Sequence, residues 1–187
     1  PIYQALRYRP YWKNEGGITI SGGEPLLQID FLLEFFKKAK EKGIHTVIDT
    51  AGGPFTRKEP FFSKFQELMK YTDLLLVDIK HIDTECHKVL TDRSNENILD
   101  MIRYLSDIKK PIWIRHVLVP ERSDKDEYLT RLADFIHSLN NVEKVEILPY
   151  HTMGIYKWKE LGLDYPLEGI EPPTKERVEN AKKILTI

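Results

Sequence analysis

Short apolar, β-branched runs recur five times along the chain, at Gly17 to Ser21, His45 to Thr50, Leu74 to Lys80, Pro111 to Val119 and Val145 to Tyr150. Leu74-Leu75-Leu76-Val77 and Ile112-Trp113-Ile114 are apolar at every position. That is the pattern of strands covered on both faces, so the runs predict a parallel sheet. The segments between them have helical periodicity. Ile29 to Lys42 puts Phe31, Leu32, Phe35, Phe36 and Ala39 on one broad face, and Gly43 follows as a helix-ending residue. Pro60 to Tyr71, Glu96 to Ile108, Glu127 to Leu139 and Thr174 to Leu185 repeat the pattern. Ser94 or Asn95 is placed to cap the helix that starts at Glu96, and Pro172-Pro173 announces the last one. Strand starts lie roughly 25 to 35 residues apart, the length of a βα unit. Five such units make an α/β fold, either a doubly wound sheet or a partial (β/α) barrel arc. Neither a GxGxxG fingerprint nor a P-loop is present, which favours the arc, with residues 1–187 as a single domain. His151 to Pro173, rich in Tyr, Trp, Gly and Pro, is too long for a simple connection and reads as a functional loop.

Composition removes whole classes of function. The 187 residues carry 28 Lys+Arg against 29 Asp+Glu, a net charge of −1, so no basic field points to nucleic acid or to a membrane surface. With 41% hydrophobic and 30% charged residues the chain is globular rather than disordered. No apolar run approaches the roughly 20 residues that span a bilayer. Cys86 is the sole cysteine, which excludes a disulfide framework and a self-contained thiolate metal site, and fits a reducing, cytoplasmic setting. The chain begins at Pro1 without a Met, which reads as a trimmed or partial product.

Ligands of parallel α/β proteins bind at the carboxyl ends of the strands. The five ends here are Ser21-Gly22-Gly23-Glu24-Pro25, Asp49-Thr50-Ala51-Gly52-Gly53, Asp78-Ile79-Lys80-His81, Arg115-His116 and Pro149-Tyr150-His151. Each has a plain structural explanation: a tight glycine turn, a helix cap at Asp49-Thr50, an Asp78–Lys80 ion pair, an interior cation at Arg115, a hydrogen-bonded loop histidine at His151. Five strands delivering ionisable groups to one rim is nevertheless more than stability requires, because buried charges are costly without a partner or ligand. Open glycine backbone, acids for an ammonium group, Lys80 for a carboxylate or ribose, and the oxygens of Asp49, Thr50 and Asp78 for a hard cation suit an amino-acid head group joined to a nucleoside.

In order along the chain, Ile18 to Pro25 (ITISGGEP), Gly43 to Thr50 (GIHTVIDT), Val77 to Lys80 (VDIK), Trp113 to Arg115 (WIR), Val142 to His151 (VEKVEILPYH) and Gly154 to Trp158 resemble the radical S-adenosylmethionine (SAM) enzymes. Within them the chain is most similar to the activases of glycyl-radical enzymes. The resemblance implies a six-strand barrel arc and SAM as cofactor. It places Gly22, Gly23 and Glu24 at the methionine amino group with Asp49 assisting. Asp78, Ile79 and Lys80 fall at the ribose and carboxylate, and His151 at a further contact. It puts a monovalent cation at Asp49, Thr50 and Asp78, and makes Arg115 a cavity residue near the substrate loop. It also implies a reduced [4Fe–4S] cluster that cleaves SAM to a 5′-deoxyadenosyl radical, which takes hydrogen from a glycine of the lyase. The implied partners are pyruvate formate-lyase (formate C-acetyltransferase) or a related glycyl-radical enzyme, and a flavodoxin-type electron donor.

Two departures stand out. Asp49 to Gly53 replaces the family's usual DTNG turn, and the cluster motif CxxxCxxC is missing. Cys86, alone in a short helical or loop connection from Asp83 to Thr91, does not replace it. The motif is therefore expected upstream of Pro1 together with the first barrel strand, and the chain alone is expected to be inactive, with no catalytic residue of its own. The strand at Gly17 to Ser21 is expected to be an open edge that drives dimerisation or aggregation. Residues 7–15 hold no cysteine and show no trace of a ferredoxin-like insert. In the long loop, Tyr156, Trp158 and Tyr165 are candidate partner contacts or packing residues. Two rival functions are a Schiff-base aldolase with Lys80 as nucleophile, and a truncated protein that binds the lyase without activating it.

Overall fold

The computed structural model describes residues 1–12 and 16–186; residues 13–15, at the end of the cysteine-free stretch noted above, lie outside it. In chain order the elements are α1 (Ile2–Leu6), β1 (Gly17–Ile20), α2 (Ile29–Lys40), β2 (His45–Thr50), α3 (Phe61–Met69), β3 (Leu74–Asp78), α4 (Thr84–Thr91), α5 (Glu96–Asp107), β4 (Ile112–Leu118), α6 (Asp126–His137), β5 (Val142–Pro149), α7 (Ile155–Glu160) and α8 (Lys175–Ile184). The strands form one sheet in the order β1-β2-β3-β4-β5, every pair parallel. This order decides between the two architectures left open above. A doubly wound sheet reverses direction part-way and sends helices to both faces. Right-handed crossovers that never reverse put all the helices on one face, which makes a barrel arc.

Burial along the strands follows that geometry. In β2 to β4 the side chains of Thr46, Ile48, Leu75, Val77, Ile112, Ile114, His116 and Leu118 point to the helices and are buried. There they meet Leu32 and Phe36 of α2, Phe65 and Leu68 of α3, Met101, Ile102 and Leu105 of α5, and Leu129 and Leu132 of α6 in a single core. Of the alternate residues on the other side, Val47 and Leu74 are buried, whereas Leu76, Asp78, Trp113, Arg115 and Val117 are only half-buried. The apolar runs therefore do not mark strands covered on both faces along their whole length. The second face is the concave side of the arc, and its apolar positions line a cavity rim instead of a second helix layer.

Predicted boundaries shift where tertiary partners extend or end an element. β5 starts at Val142, three residues before the apolar run, because Val142 pairs with Ile112 before an irregularity in register at Ile112/Trp113. β3 stops at Asp78, leaving Ile79 and Lys80 beyond the strand. The connection around Cys86 is a helix, α4, capped by the Asp83 carboxylate, which accepts from the amides of Glu85 and Cys86. Asn95 stands at the N-cap position of α5, but its side chain makes no cap bond there. It donates instead to the carbonyls of His81 and Ile82 and accepts from the Thr84 hydroxyl, tying α5 to the end of β3. Within His151 to Pro173 the structure forms a 3-10 turn and α7, followed by irregular chain.

Candidate active-site rim

The site is built from the carboxyl ends of β1 to β4. β1 ends in a turn in which Gly22 has φ 128°, a backbone conformation that side-chain-bearing residues rarely adopt. A Cβ placed on Gly22 or Gly23 would meet nothing within 4 Å, so the backbone here is open to close approach. Glu24 follows, and its carboxylate is turned inward. Oε1 accepts from the Leu26 amide at 3.0 Å and from the Thr50 hydroxyl at 2.6 Å, and Oε2 accepts from the Ala51 amide at 2.9 Å. Thr50 Oγ1 accepts in turn from the Gly52 amide at 2.8 Å. Glu24 is thus a brace between the ends of β1 and β2, and its oxygens are occupied by protein donors.

The next three strands bring four charged groups together. Pairing sets Asp78 beside Arg115 and places Asp49 one strand further along the same face. Arg115 lies between the two acids: Nη2 donates to Asp49 Oδ1 at 2.5 Å and Nε to Asp78 Oδ1 at 3.0 Å. Lys80 Nζ donates to Asp78 Oδ2 at 2.7 Å. The side chains of Asp49, Asp78 and Arg115 are 21, 14 and 20% exposed, so the network is largely but not wholly desolvated. Two acids and two bases neutralise one another, which is what allows such groups to sit side by side at low dielectric. The ion-pair explanation for Asp78–Lys80 and the interior-cation explanation for Arg115 are both realised in this arrangement.

His116, next along β4, points the opposite way, into the core. Nδ1 lies 2.8 Å from the Ile79 carbonyl and Nε2 lies 3.2 Å from the Ser123 carbonyl. Burial, aided by the nearby Lys80 charge, holds its pKa below the usual histidine value, against the pull of the two carbonyls. His116 therefore fixes the backbone of the Asp78-Ile79-Lys80 segment from behind. His151 is exposed and makes no cap bond at the start of the 3-10 turn, and the hydrogen bonds of the network run among Asp49, Asp78, Lys80 and Arg115 without it. Tyr165 is held by Tyr150, hydroxyl to hydroxyl at 2.8 Å, and packs edge-on against Trp158. Burial and the Tyr150 hydroxyl push the Tyr165 phenol up to about 12. Tyr165 is a packing residue, while Tyr156 stays 56% exposed.

Sequence reasoning missed the groups that shape the rim without being charged. The Ala51 amide is one. Asn97 is another, since its side chain donates to the Gly53 carbonyl and pins the loop after β2. Backbone donors carry no sequence signal, and Asn97 reads simply as a polar residue on a helix surface.

Comparison with known proteins settles the lineage. Residues 2–133 match the model of the Radical SAM superfamily. The chain is 54% identical over 182 residues to the pyruvate formate-lyase-activating enzyme of Streptococcus mutans, covering 97% of this chain and 69% of that protein. The enzyme of the same name from Listeria monocytogenes is 55% identical over 183 residues, with 97 and 74% covered. This chain belongs to the family of pyruvate formate-lyase-activating enzymes. A crystal structure of a domain of such an activase from Bacteroides vulgatus superposes with a TM-score of 0.74 at 30% identity, covering 91% of this chain and 92% of that one.

Membership of the radical SAM superfamily implies SAM and a [4Fe–4S] cluster as cofactors. The activase rim fits the first: an open glycine turn lies next to paired acids and a lysine, the donor set that an ammonium, a carboxylate and a ribose require. The residues of this chain do not fit the second. Its one cysteine, Cys86, is half-buried on α4 with Sγ 3.5 Å from the Tyr128 hydroxyl, and no other thiol is present. Among the described residues no group of three or more His, Cys, Asp or Glu is placed to hold a metal ion, and no helix is long and apolar enough to cross a membrane.

Proposed function

We propose that the rim is the SAM-binding part of an activase that prepares pyruvate formate-lyase by hydrogen abstraction from a glycine, the five βα units acting as one unit. The observation that carries this reading is the Asp49–Arg115–Asp78–Lys80 network beside the open Gly22-Gly23 turn, in a chain of this family. SAM would supply the adenosyl carbon that takes the hydrogen atom once one electron has broken its C–S bond and released methionine; the residues here would bind, orient and shield it. The Gly22 and Gly23 backbone and Asp49 receive the methionine ammonium. Asp78, the Ile79 backbone and Lys80 take the ribose and carboxylate, and His151, just beyond β5, is a further contact. Glu24 acts at one remove, by holding the turn against the loop after β2.

A monovalent cation at Asp49, Thr50 and Asp78 is the finer reading of the same acids. It requires the Arg115 guanidinium to withdraw, because Arg115 occupies one oxygen of each Asp. Arg115 then turns toward the cavity where the lyase glycine arrives. A flavodoxin-type protein would be the electron donor to the full activase, the electron passing to the SAM sulfonium through a [4Fe–4S] cluster whose ligands this chain does not supply.

Calorimetric titration of the chain with SAM tests the proposal. Wild type is expected to bind one equivalent, with tighter binding in potassium than in choline buffer. Asp49→Asn and Lys80→Ala should each weaken binding by about tenfold, the effect of losing one charge-assisted hydrogen bond of about 1.4 kcal/mol. No heat of binding, or variants that bind like wild type, would overturn it.

A further inference from the structure

A second cleft lies beside the rim network. It holds about 360 Å³ and is walled by Ala51 and Gly53 of the loop after β2, by Lys80, and by the junction of α4 and α5. Most polar groups on its wall are satisfied within the protein. The Thr91 hydroxyl donates to the His87 carbonyl at 2.8 Å, and the Asn97 amide donates to the Gly53 carbonyl. Two groups are not. His87 is 98% buried, with 2% of its surface exposed. Its Nδ1, 2.8 Å from the Arg93 carbonyl, is the proton-bearing nitrogen, and its Nε2 has no partner among the described residues. Buried polar atoms without partners are rare because the lost hydration is not replaced. The Arg93 side chain is the other: it is exposed at the cleft mouth and, among the described residues, has no carboxylate within 4 Å, so its charge is free to meet a ligand. None of the residues lining the cleft is acidic.

We propose that this cleft is an anion subsite, and that it takes a carboxylate presented by the partner protein. Arg93 offers the planar fork that matches a carboxylate, Lys80 adds a second positive charge at the edge, and the His87 ring, with its Nε2 unpartnered among the described residues, lies in the wall behind them. The source follows from position: the cleft shares Lys80 and the loop after β2 with the rim, so a protein delivering its glycine there passes over it. This part rests on the reading of pyruvate formate-lyase as partner. A charge pair at the margin of such an interface sets specificity and salt dependence more than buried area.

The test has two arms. In the first, the chain is titrated with sodium acetate and with inorganic phosphate while the His87 ring and the Ser94 and Asn97 amides are followed by NMR. Saturable shifts that vanish in Arg93→Glu are expected; the absence of saturable shifts in wild type overturns the anion subsite. In the second, binding of pyruvate formate-lyase to the immobilised chain is measured for wild type and Arg93→Glu, with SAM affinity as a control. Arg93→Glu should weaken lyase binding at least tenfold, leave SAM affinity within twofold, and abolish competition by acetate. Acetate shifts together with lyase binding that is indifferent to Arg93→Glu would mean a free small anion is the occupant, overturning the partner assignment. A wild-type chain that binds neither SAM nor lyase overturns the proposed function, while the acetate arm still decides the subsite.

Discussion

At the scale of single residues the rim is a set of competitions for a few oxygens. Glu24 is committed to Leu26, Thr50 and Ala51, so Glu24→Gln replaces an accepting oxygen with a carboxamide NH2, a donor that faces another donor. The expected loss is about 1–3 kcal/mol of unfolding free energy in urea, the cost of an unsatisfied buried donor, together with weaker SAM binding as the two loops separate. Arg115→Gln strips two largely buried acids of their shared partner. Breaking such a pair costs about 3–5 kcal/mol when fully buried; with side chains 14 and 21% exposed, about half of that is expected. Arg115→Lys rescues only part, because one ammonium does not span both acids. The identity and order of Glu24, Asp49, Asp78 and Arg115 were legible in the sequence, as was their convergence at one rim. The inward turn of Glu24 was not, since two of its three partners, the Thr50 hydroxyl and the Ala51 amide, lie 26 and 27 residues away and one of those is a backbone amide. Tyr165 offers a spectroscopic check. Its phenol titrates at about 12 against about 10 for a free tyrosine. Stability from this group is therefore complete below pH 10 and is lost as pH rises through 12. Tyr150→Phe should bring the transition at 295 nm back toward 10.

Elements were legible where periodicity was long and strong, and less so where a tertiary partner decides. The helices α2, α3, α5, α6 and α8 fall within two residues or so of their apolar stripes. The short α4 depends on the Asp83 cap and on the Arg131 side chain that pairs with Asp83 at 3.1 Å, neither visible as a stripe. The opposite end of the sheet shows a further device. Asp73, just before β3, accepts from the Thr46 amide at 2.7 Å and from Lys40, clamping the starts of β2 and β3 to the end of α2. Burial pushes the Asp73 carboxyl up, but Lys40 and Thr46 outweigh it and hold it below the ordinary range. Its contribution is present above the usual carboxylate pKa and is lost as pH falls through the lowered one. Asp73→Asn should lower the urea midpoint at pH 7 by an amount equivalent to about 1–3 kcal/mol, and the gap between variant and wild type should close in acid. SAM affinity should not change, since this clamp lies at the far end of the strands.

For the molecule as a whole, the alternation of five βα units was legible, but not the single-sided placement of the helices, which rests on strand order. β1 is hydrogen-bonded to β2 on one side, and among the described residues no strand lies on the other. Exposed edges recruit other chains, so the isolated polypeptide is expected to elute from a sizing column earlier as concentration rises. Thr19→Lys, a charge on the exposed position of that strand, should restore a monomer; a concentration-independent monomer in wild type would contradict the edge argument. The strand order also has a bearing on synthesis. Each strand pairs only with the one made just before it and the one made just after, so no segment waits for a distant partner to leave the ribosome. Low sequence separation between partners favours rapid folding, and here the sheet can lengthen one βα unit at a time behind the moving peptidyl-transferase centre, each new strand docking onto an edge that is already in place.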